Sequence, residues 1–252
     1  MILAFETGNS TTNVVIFDDR RIERVEVFRN SEVGSLPKFS AAIGKFLESL
    51  GRSPKDFEIL LISSVVRSME TLEEEYCRER GLKFFNIRKE GKNLNFKAPG
   101  DMGADLMANV AAGIDIYGEY LIVIDLGTAT TFAVIAKEGE FLGGSIVTGF
   151  GSMGRALVTD CDLLPSFNLG VPKRAFSCDT VEAMQAGLYY GYIGLLEEIV
   201  SRIEKEVGHR MRILMTGGHS GLFSGKLSFS VEMDKNLTFY GLRLIYEMNR
   251  VI

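Results

Sequence analysis

The 252-residue chain has no tryptophan, 5 prolines, 3 cysteines and 2 histidines, and each shortage argues against a class of protein. Cys77, Cys161 and Cys178 are an odd number with no CxxC pair, which fits a reducing compartment better than a disulfide framework. With only His209 and His219 to add, a structural zinc site lacks ligands. A Ser-His-Asp hydrolase would have to use one of those histidines, and no GxSxG elbow is present. Both histidines read as surface or loop residues. The apolar runs are strand-length, too short to cross a membrane. MILAFETG at the N-terminus lacks the basic region and long apolar core of a signal peptide, and reads as a first core strand. Like charges do not cluster. A net charge of -5 and a pI near 5.3 supply no positive stripe for nucleic acid. These features predict a cytoplasmic protein whose partners include neither nucleic acid nor membrane.

At 46% hydrophobic and 24% charged, the composition is that of a globular chain large enough for one or two domains. Its main internal signal is a repeat. ILAFETGNSTTNVVI (residues 2–16) aligns without gaps on LIVIDLGTATTFAVI (residues 121–135), an offset of 119 that places Glu6 on Asp125. Gly8 then falls on Gly127, Thr11 on Thr130, Thr12 on Thr131, Val15 on Val134 and Ile16 on Ile135. Each copy is an apolar strand, an acid, a Gly-containing turn and a second apolar strand. A third candidate strand follows each, from Arg21 and from Glu140. The period is far too long for a solenoid, so two related halves are expected.

Helical spacing runs from Pro37 to Leu50, and FEILLISSVV reads as a buried strand. SMETLEEEYCRERG is expected to be a charged surface helix closed by Gly81. GADLMANVAAGIDIYG reads as a helix crossing from one half to the other. A long helix follows Thr180, read as its N-cap, with Glu182 in its first turn; most of that helix should pack on the core. MRILMTGG is a late strand ending on two glycines. Strands alternating with helices in two halves give an α/β architecture, with expected domains at residues 1–102 and 103–252.

A turn of glycine, hydroxyl and amide residues presents N–H groups to an anion, and a carboxylate beside that anion needs a divalent cation between them. Two such turns, with Gly217-Gly218 as a third contact, are the layout of a nucleotide clamp and point to phosphotransfer. GLFSGKLS around Lys226 does not make a P-loop: only three residues stand between its glycines, and Leu227 stands where Ser or Thr should bind Mg²⁺. It is expected to be a simple loop.

Taken together these residues resemble type III pantothenate kinases, of the actin-like sugar-kinase and heat-shock ATPase superfamily, over nearly the whole chain. ETGNS is similar to the family's D-x-G-N-T first phosphate loop, GADL at residues 103–106 to G-A-D-R, and DLGTATTF from Asp125 to D-x-G-T-A-T-T-x. GGSIVTG is similar to G-G-x-I-x-P-G, DTVEAMQAG to N-T-x-x-A-M-x-x-G, and Thr216 to Gly218 to an adenosine-side turn. The resemblance implies duplicated actin-like (ribonuclease H-like) halves, each a mixed sheet flanked by helices, with a nucleotide cleft between them. It implies phosphorylation of pantothenate in coenzyme A synthesis, with ATP, Mg²⁺ or another divalent cation, and K⁺ or NH₄⁺. The family's substrate pocket lies partly at a dimer interface.

Carried over by motif, Asp105 is the catalytic base. Glu6, Thr7, Gly8, Asn9, Ser10, Thr11, Thr12 and Asn13, with Thr128, Gly217 and Gly218, bind ATP and its phosphates. Phe96, Gly103, Ala104, Leu106 and Thr180 face the substrate. Glu6 serves the divalent cation and Asp125 the monovalent one. Four positions depart from the pattern. Glu6 replaces Asp, Leu106 replaces Arg, Phe96 stands where a tyrosine is frequent, and Thr148 stands where the pattern has proline. Losing a guanidinium removes five donors and a fixed charge. Three readings follow: a pantothenate kinase, alone or paired with a homologous subunit; a nucleotide-binding homologue with a regulatory or assembly role; and a kinase for another small hydroxyl compound.

Overall fold

A computed structural model describes residues 1–250. The chain forms two compact units, Met1–Ala112 together with the C-terminal stretch from Leu237, and Gly113–Asn236. In the first, strands β1 (Ile2–Thr7), β2 (Thr11–Asp18), β3 (Arg21–Arg29), β4 (Ile59–Ser64) and β5 (Phe84–Asn86) form a sheet in the order β3-β2-β1-β4-β5. In the second, β6 (Leu121–Leu126), β7 (Ala129–Ile135), β8 (Phe141–Thr148), β9 (Arg212–Thr216) and β10 (Glu232–Met233) lie in the order β10-β9-β6-β7-β8. Read from the opposite edge, this is the same order. In both units the first three strands pair antiparallel and the last two join in parallel.

Registers refine the repeat. Glu6 pairs with Asn13 and Thr7 with Thr12, whereas Asp125 pairs with Thr131 and Leu126 with Thr130. The second hairpin is therefore one residue shorter at its turn. Beyond the turn the equivalence is Thr12 with Thr130 and Asn13 with Thr131, so the gapless alignment is corrected by one position there. The correction matters because a one-residue slip exchanges the two faces of a strand. With it, Val14 and Ile16 in one core correspond to Phe132 and Val134 in the other. A register shift also falls at matching places, between Ile16 and Phe17 and between Val134 and Ile135.

The first unit's core is built by helix Leu36–Ser49, which has Pro37 in its first turn and buries Phe39, Ile43, Phe46 and Leu47 at helical spacing. Phe5, Phe39 and Tyr76 meet edge-on, with centroids 5.2, 5.9 and 5.3 Å apart. Each such pair adds about 0.5–1.5 kcal/mol beyond area burial. Tyr76 comes from helix Arg67–Glu79, and here the expectation of a surface helix is corrected. Glu70, Glu73 and Glu74 are all buried. Glu70 and Glu74 are satisfied by Arg88 and Lys89, each at 2.6 Å, and by Asn86.

The return of helix Leu237–Asn249 to the first unit rests on a glycine. A Cβ on Gly241 would lie 2.0 Å from the Ala108 carbonyl oxygen, so only glycine lets the two backbones touch. In the second unit, helix Thr180–Val207 buries Met184, Ala186, Tyr189, Tyr192, Leu196 and Val200. Tyr189 stacks on Phe223 at 5.5 Å. Gly208, in the left-handed conformation, ends the helix. Its opposite face leaves Gly187, Tyr190, Gly191 and Gly194 exposed, so core packing accounts for one face only. The segment around Lys226 follows a short helix, Ser220–Phe223, and turns at Gly225 with φ +66°.

Candidate active site

In the first unit the turn Gly8–Thr11 is closed by the Gly8 N–H donating to the Thr11 carbonyl at 2.9 Å. Asn30 clamps it from the side, donating its backbone N–H to Ser10 O at 3.0 Å and its side-chain amide to Gly8 O at 2.8 Å. Asn9 and Ser10 are exposed at the tip. Glu6, half-buried, accepts from Asn13 Nδ2 at 2.5 Å across the hairpin. Behind the turn, Thr7 and Thr12 are buried with their hydroxyls 2.9 Å apart.

The Gly103–Leu106 motif adjoins this turn through one residue. Val65, just past β4, donates its N–H to Thr7 O at 3.0 Å, and its Cγ1 lies 3.8 Å from where a Gly103 Cβ would be. Helix Ala104–Tyr117 begins here with Asp105 in its first turn. Ala104 is fully buried, Gly103 and Leu106 are half-buried, and a Gly103 Cβ would stand 2.8 Å from Asp105 Oδ1. Burial pushes the Asp105 carboxyl up from its ordinary range, while the Leu106 N–H, 2.7 Å from Oδ1, pulls it down. The net rise makes this carboxylate a better proton acceptor than an exposed aspartate. Phe96 is half-buried in the segment leading to this motif.

The second unit gathers Asp125, Thr128, Gly217 and Gly218 in the same manner. Asp125 is half-buried near the end of β6, and Thr128 is exposed at the tip of the β6–β7 turn. Thr128 O accepts from the Gly149 N–H at 3.0 Å and from Ser152 Oγ at 2.8 Å. Thr130 Oγ1 lies 2.6 Å from Tyr192 OH, whose proton goes to Thr148 O at 3.3 Å, so Thr148 does serve the turn through its carbonyl. Gly217 sits at φ +89° directly against Asp125.

Thr180 is exposed at the first position of its helix; the N-cap is Asp179, whose carboxylate accepts from the Glu182 N–H at 3.0 Å. The expected N-cap is thus corrected by one residue. Thr180 borders a groove of about 610 Å³ walled by Met153, Leu157, Met184 and Tyr192.

No group of three or more His, Cys, Asp or Glu side chains among the described residues could hold a metal ion. A single carboxylate such as Glu6 fits a hard cation that keeps most of its ligands from water and phosphate, as Mg²⁺ does.

Glu73 and Asn30 are what sequence reading missed, because neither belongs to a motif. Glu73 is fully buried, with Oε1 2.5 Å from Thr7 Oγ1 and no partner for Oε2. Thr12 donates to Asn30 Oδ1 at 2.9 Å, and the Asn30 amide orientation is set because Gly8 O can only accept. Three oxygen–oxygen contacts, Glu73–Thr7, Thr7–Thr12 and Thr12–Asn30, thus share two hydroxyl hydrogens. A proton on Glu73 supplies the third. Burial, with Glu6, Glu70 and Glu74 nearby, raises this carboxyl well above its ordinary range, in agreement.

A group whose folded pKa is raised contributes stability that is complete below its unfolded value and is lost as pH rises through the folded one. Glu73→Gln keeps the shape and supplies the third hydrogen without titrating. The native chain should therefore lose stability relative to Glu73→Gln as pH rises from about 5, by at most about 1.4 kcal/mol per pH unit. Urea midpoints of both proteins at pH 5, 7 and 9 test this; parallel curves would mean Glu73 is ionised in the fold.

Comparison with known proteins bears on this geometry. Residues 2–202 match the family model described as type III pantothenate kinase. A type III pantothenate kinase from Dehalococcoides mccartyi is 33% identical over 99% of this chain and 97% of its own length. Among solved structures, the activator of 2-hydroxyisocaproyl-CoA dehydratase from Clostridium difficile superposes with a TM-score of 0.57 at 13% identity, covering 98% of this chain and 95% of that one. MreB5 of Spiroplasma citri does so at 0.52 and 10%, covering 98% and 95%. With two sheets of one topology, these likenesses make the fold a duplicated actin-like one.

Proposed function

Because this chain belongs to the type III pantothenate kinase family, and so to the kinases that transfer phosphate to an alcohol, we propose that it uses ATP to phosphorylate the hydroxyl of pantothenate in coenzyme A synthesis, in the cytoplasm. The observation that carries this reading is the junction at Val65, where a clamped glycine turn and a half-buried aspartate adjoin one another. Phosphoryl transfer asks a protein mainly for positioning and charge neutralisation. The Gly8–Thr11 turn and Thr128 take the phosphates, and Gly217 and Gly218 the adenosine side. Asp105 accepts the proton of the attacking hydroxyl. Gly103, Ala104, Leu106, Phe96 and Thr180 line the substrate. Glu6 would hold the divalent cation and Asp125 the K⁺ or NH₄⁺; the cations supply positive charge to the transferring phosphoryl group.

The chain acts as a dimer in this reading. Leu142, Ile146, Leu163, Val171, Phe176 and Tyr190 of the second unit are large apolar or aromatic residues left exposed, side chains of the kind that association covers. Leu106 favours a second form of the reading, in which the dimer partner is a homologous subunit and this chain alone turns over little pantothenate.

ADP release by the purified chain, with and without pantothenate, and then with a co-expressed homologue, tests both forms. Pantothenate-dependent release by the chain alone supports the homodimer. Release only with the homologue supports the pair. No release in either case leaves a nucleotide-binding homologue with a regulatory or assembly role.

A further inference from the structure

The first unit holds a second cavity, about 600 Å³, beside the Asp105 motif. Gly103 and Val65 form one of its walls, so it adjoins the Asp105 carboxylate. Arg67, Arg88, Lys89 and Lys92 also line it, against Glu70 and Asp101 alone. In a chain of net charge -5 this is a locally positive cavity. Arg88 and Lys89 are committed to the buried carboxylates of Glu70 and Glu74. Among the described residues, no carboxylate pairs with the side chain of Arg67 or of Lys92.

Neither of these two cations is explained by the stability of the fold. Arg67 is the first residue of helix Arg67–Glu79, where a positive charge opposes the helix dipole. Val66, the N-cap, offers no capping side chain to offset it. Lys92 is exposed, yet its backbone is pinned. Asn249 Oδ1 accepts from the Lys92 N–H at 3.0 Å and the Asn93 N–H at 2.8 Å, and Asn249 Nδ2 donates back to Asn93 O at 2.8 Å. The backbone that carries this lysine is thus held before any ligand arrives.

We propose that Arg67 and Lys92 bind the carboxylate of the substrate while its hydroxyl is presented to Asp105. This rests on the kinase reading and deepens it: Leu106 has only an alkyl side chain, and the charge that selects an acidic substrate comes from the far wall of the adjoining cavity. Arg67 offers a planar fork for a carboxylate and Lys92 a point charge.

The test compares Arg67→Ala, Lys92→Ala and Arg67→Glu with the native chain, on pantothenate and on the alcohol in which a hydroxymethyl group replaces its carboxylate. The expected result is a rise in KM for pantothenate of about tenfold or more for each alanine variant, larger for Arg67→Glu, with kcat little changed and KM for the alcohol unmoved. Equal rises for both substrates, or an unchanged KM for pantothenate, would overturn the inference while leaving the kinase reading intact. Where the native chain turns over neither compound, equilibrium binding of radiolabelled pantothenate decides instead. Binding lost in the variants upholds the carboxylate site although the chain alone is not an active kinase, and absent or undiminished binding overturns the site.

Discussion

Asp105→Asn should lower kcat by about 10²–10⁴-fold, the usual contribution of a general base, while the melting curve stays close to that of the native chain. Asparagine has the same shape and can still accept the Leu106 N–H that meets Oδ1 at 2.7 Å. It cannot accept the proton of the attacking hydroxyl. The pH profile separates this role from a purely structural one. Burial raises the Asp105 carboxyl above its ordinary range, and only its ionised form is a base, so kcat/KM of the native enzyme should fall as pH drops through that raised value. In Asp105→Asn the residual rate should lose this acid limb. A variant with near-native kcat, or one with the same acid limb, would place the base elsewhere.

How much of this was legible in the sequence depends on whether a residue acts locally. The paired hairpins, the Gly-containing turns and the long helices were legible because periodicity and turn chemistry are local properties. The one-residue difference between the two turns was not, since a gapless match of Thr-Thr with Thr-Thr hides a shift that only strand pairing exposes. Helix Arg67–Glu79 misled for a related reason. Three glutamates within five residues read as a solvated face, but Glu70 and Glu74 are buried against Asn86, Arg88 and Lys89, which lie a strand away, and Glu73 against Thr7 of β1. The C-terminal helix joins the first unit through the Gly241–Ala108 contact, and no repeat or composition change announces that. At the candidate site the motif residues follow one another in short stretches, whereas Asn30 and Glu73 act through neighbours distant in sequence, and Arg67 and Lys92 are brought to one cavity only by the fold.

Gly217→Ala should damage the fold of the second unit, and Gly218→Ala, one residue on, should be nearly silent for it. Gly217 sits at φ +89°, where an L side chain is strained by about 1–2 kcal/mol. Its added Cβ would lie 2.5 Å from Asp125 Oδ1 and 2.5 Å from the Leu126 nitrogen. The second contact is with backbone, so the clash is not relieved by a rotamer change, and overpacking of this kind costs about 1–3 kcal/mol. Together these should destabilise the second unit by about 2–5 kcal/mol and push the Asp125 carboxylate from its place. Gly218 has no positive φ and nothing within 4 Å of an added Cβ, so its methyl group enters open space on the side assigned to adenosine. Urea unfolding followed by far-UV circular dichroism reads the first effect, and calorimetric titration with Mg-ATP the second. Gly217→Ala should unfold earlier and also lose ATP affinity. Gly218→Ala should keep its unfolding midpoint and bind ATP more weakly. Unchanged ATP affinity in Gly218→Ala would remove the Gly217-Gly218 turn from the nucleotide site, and an unshifted midpoint in Gly217→Ala would mean that the β6 and β9 strand ends can part without loss.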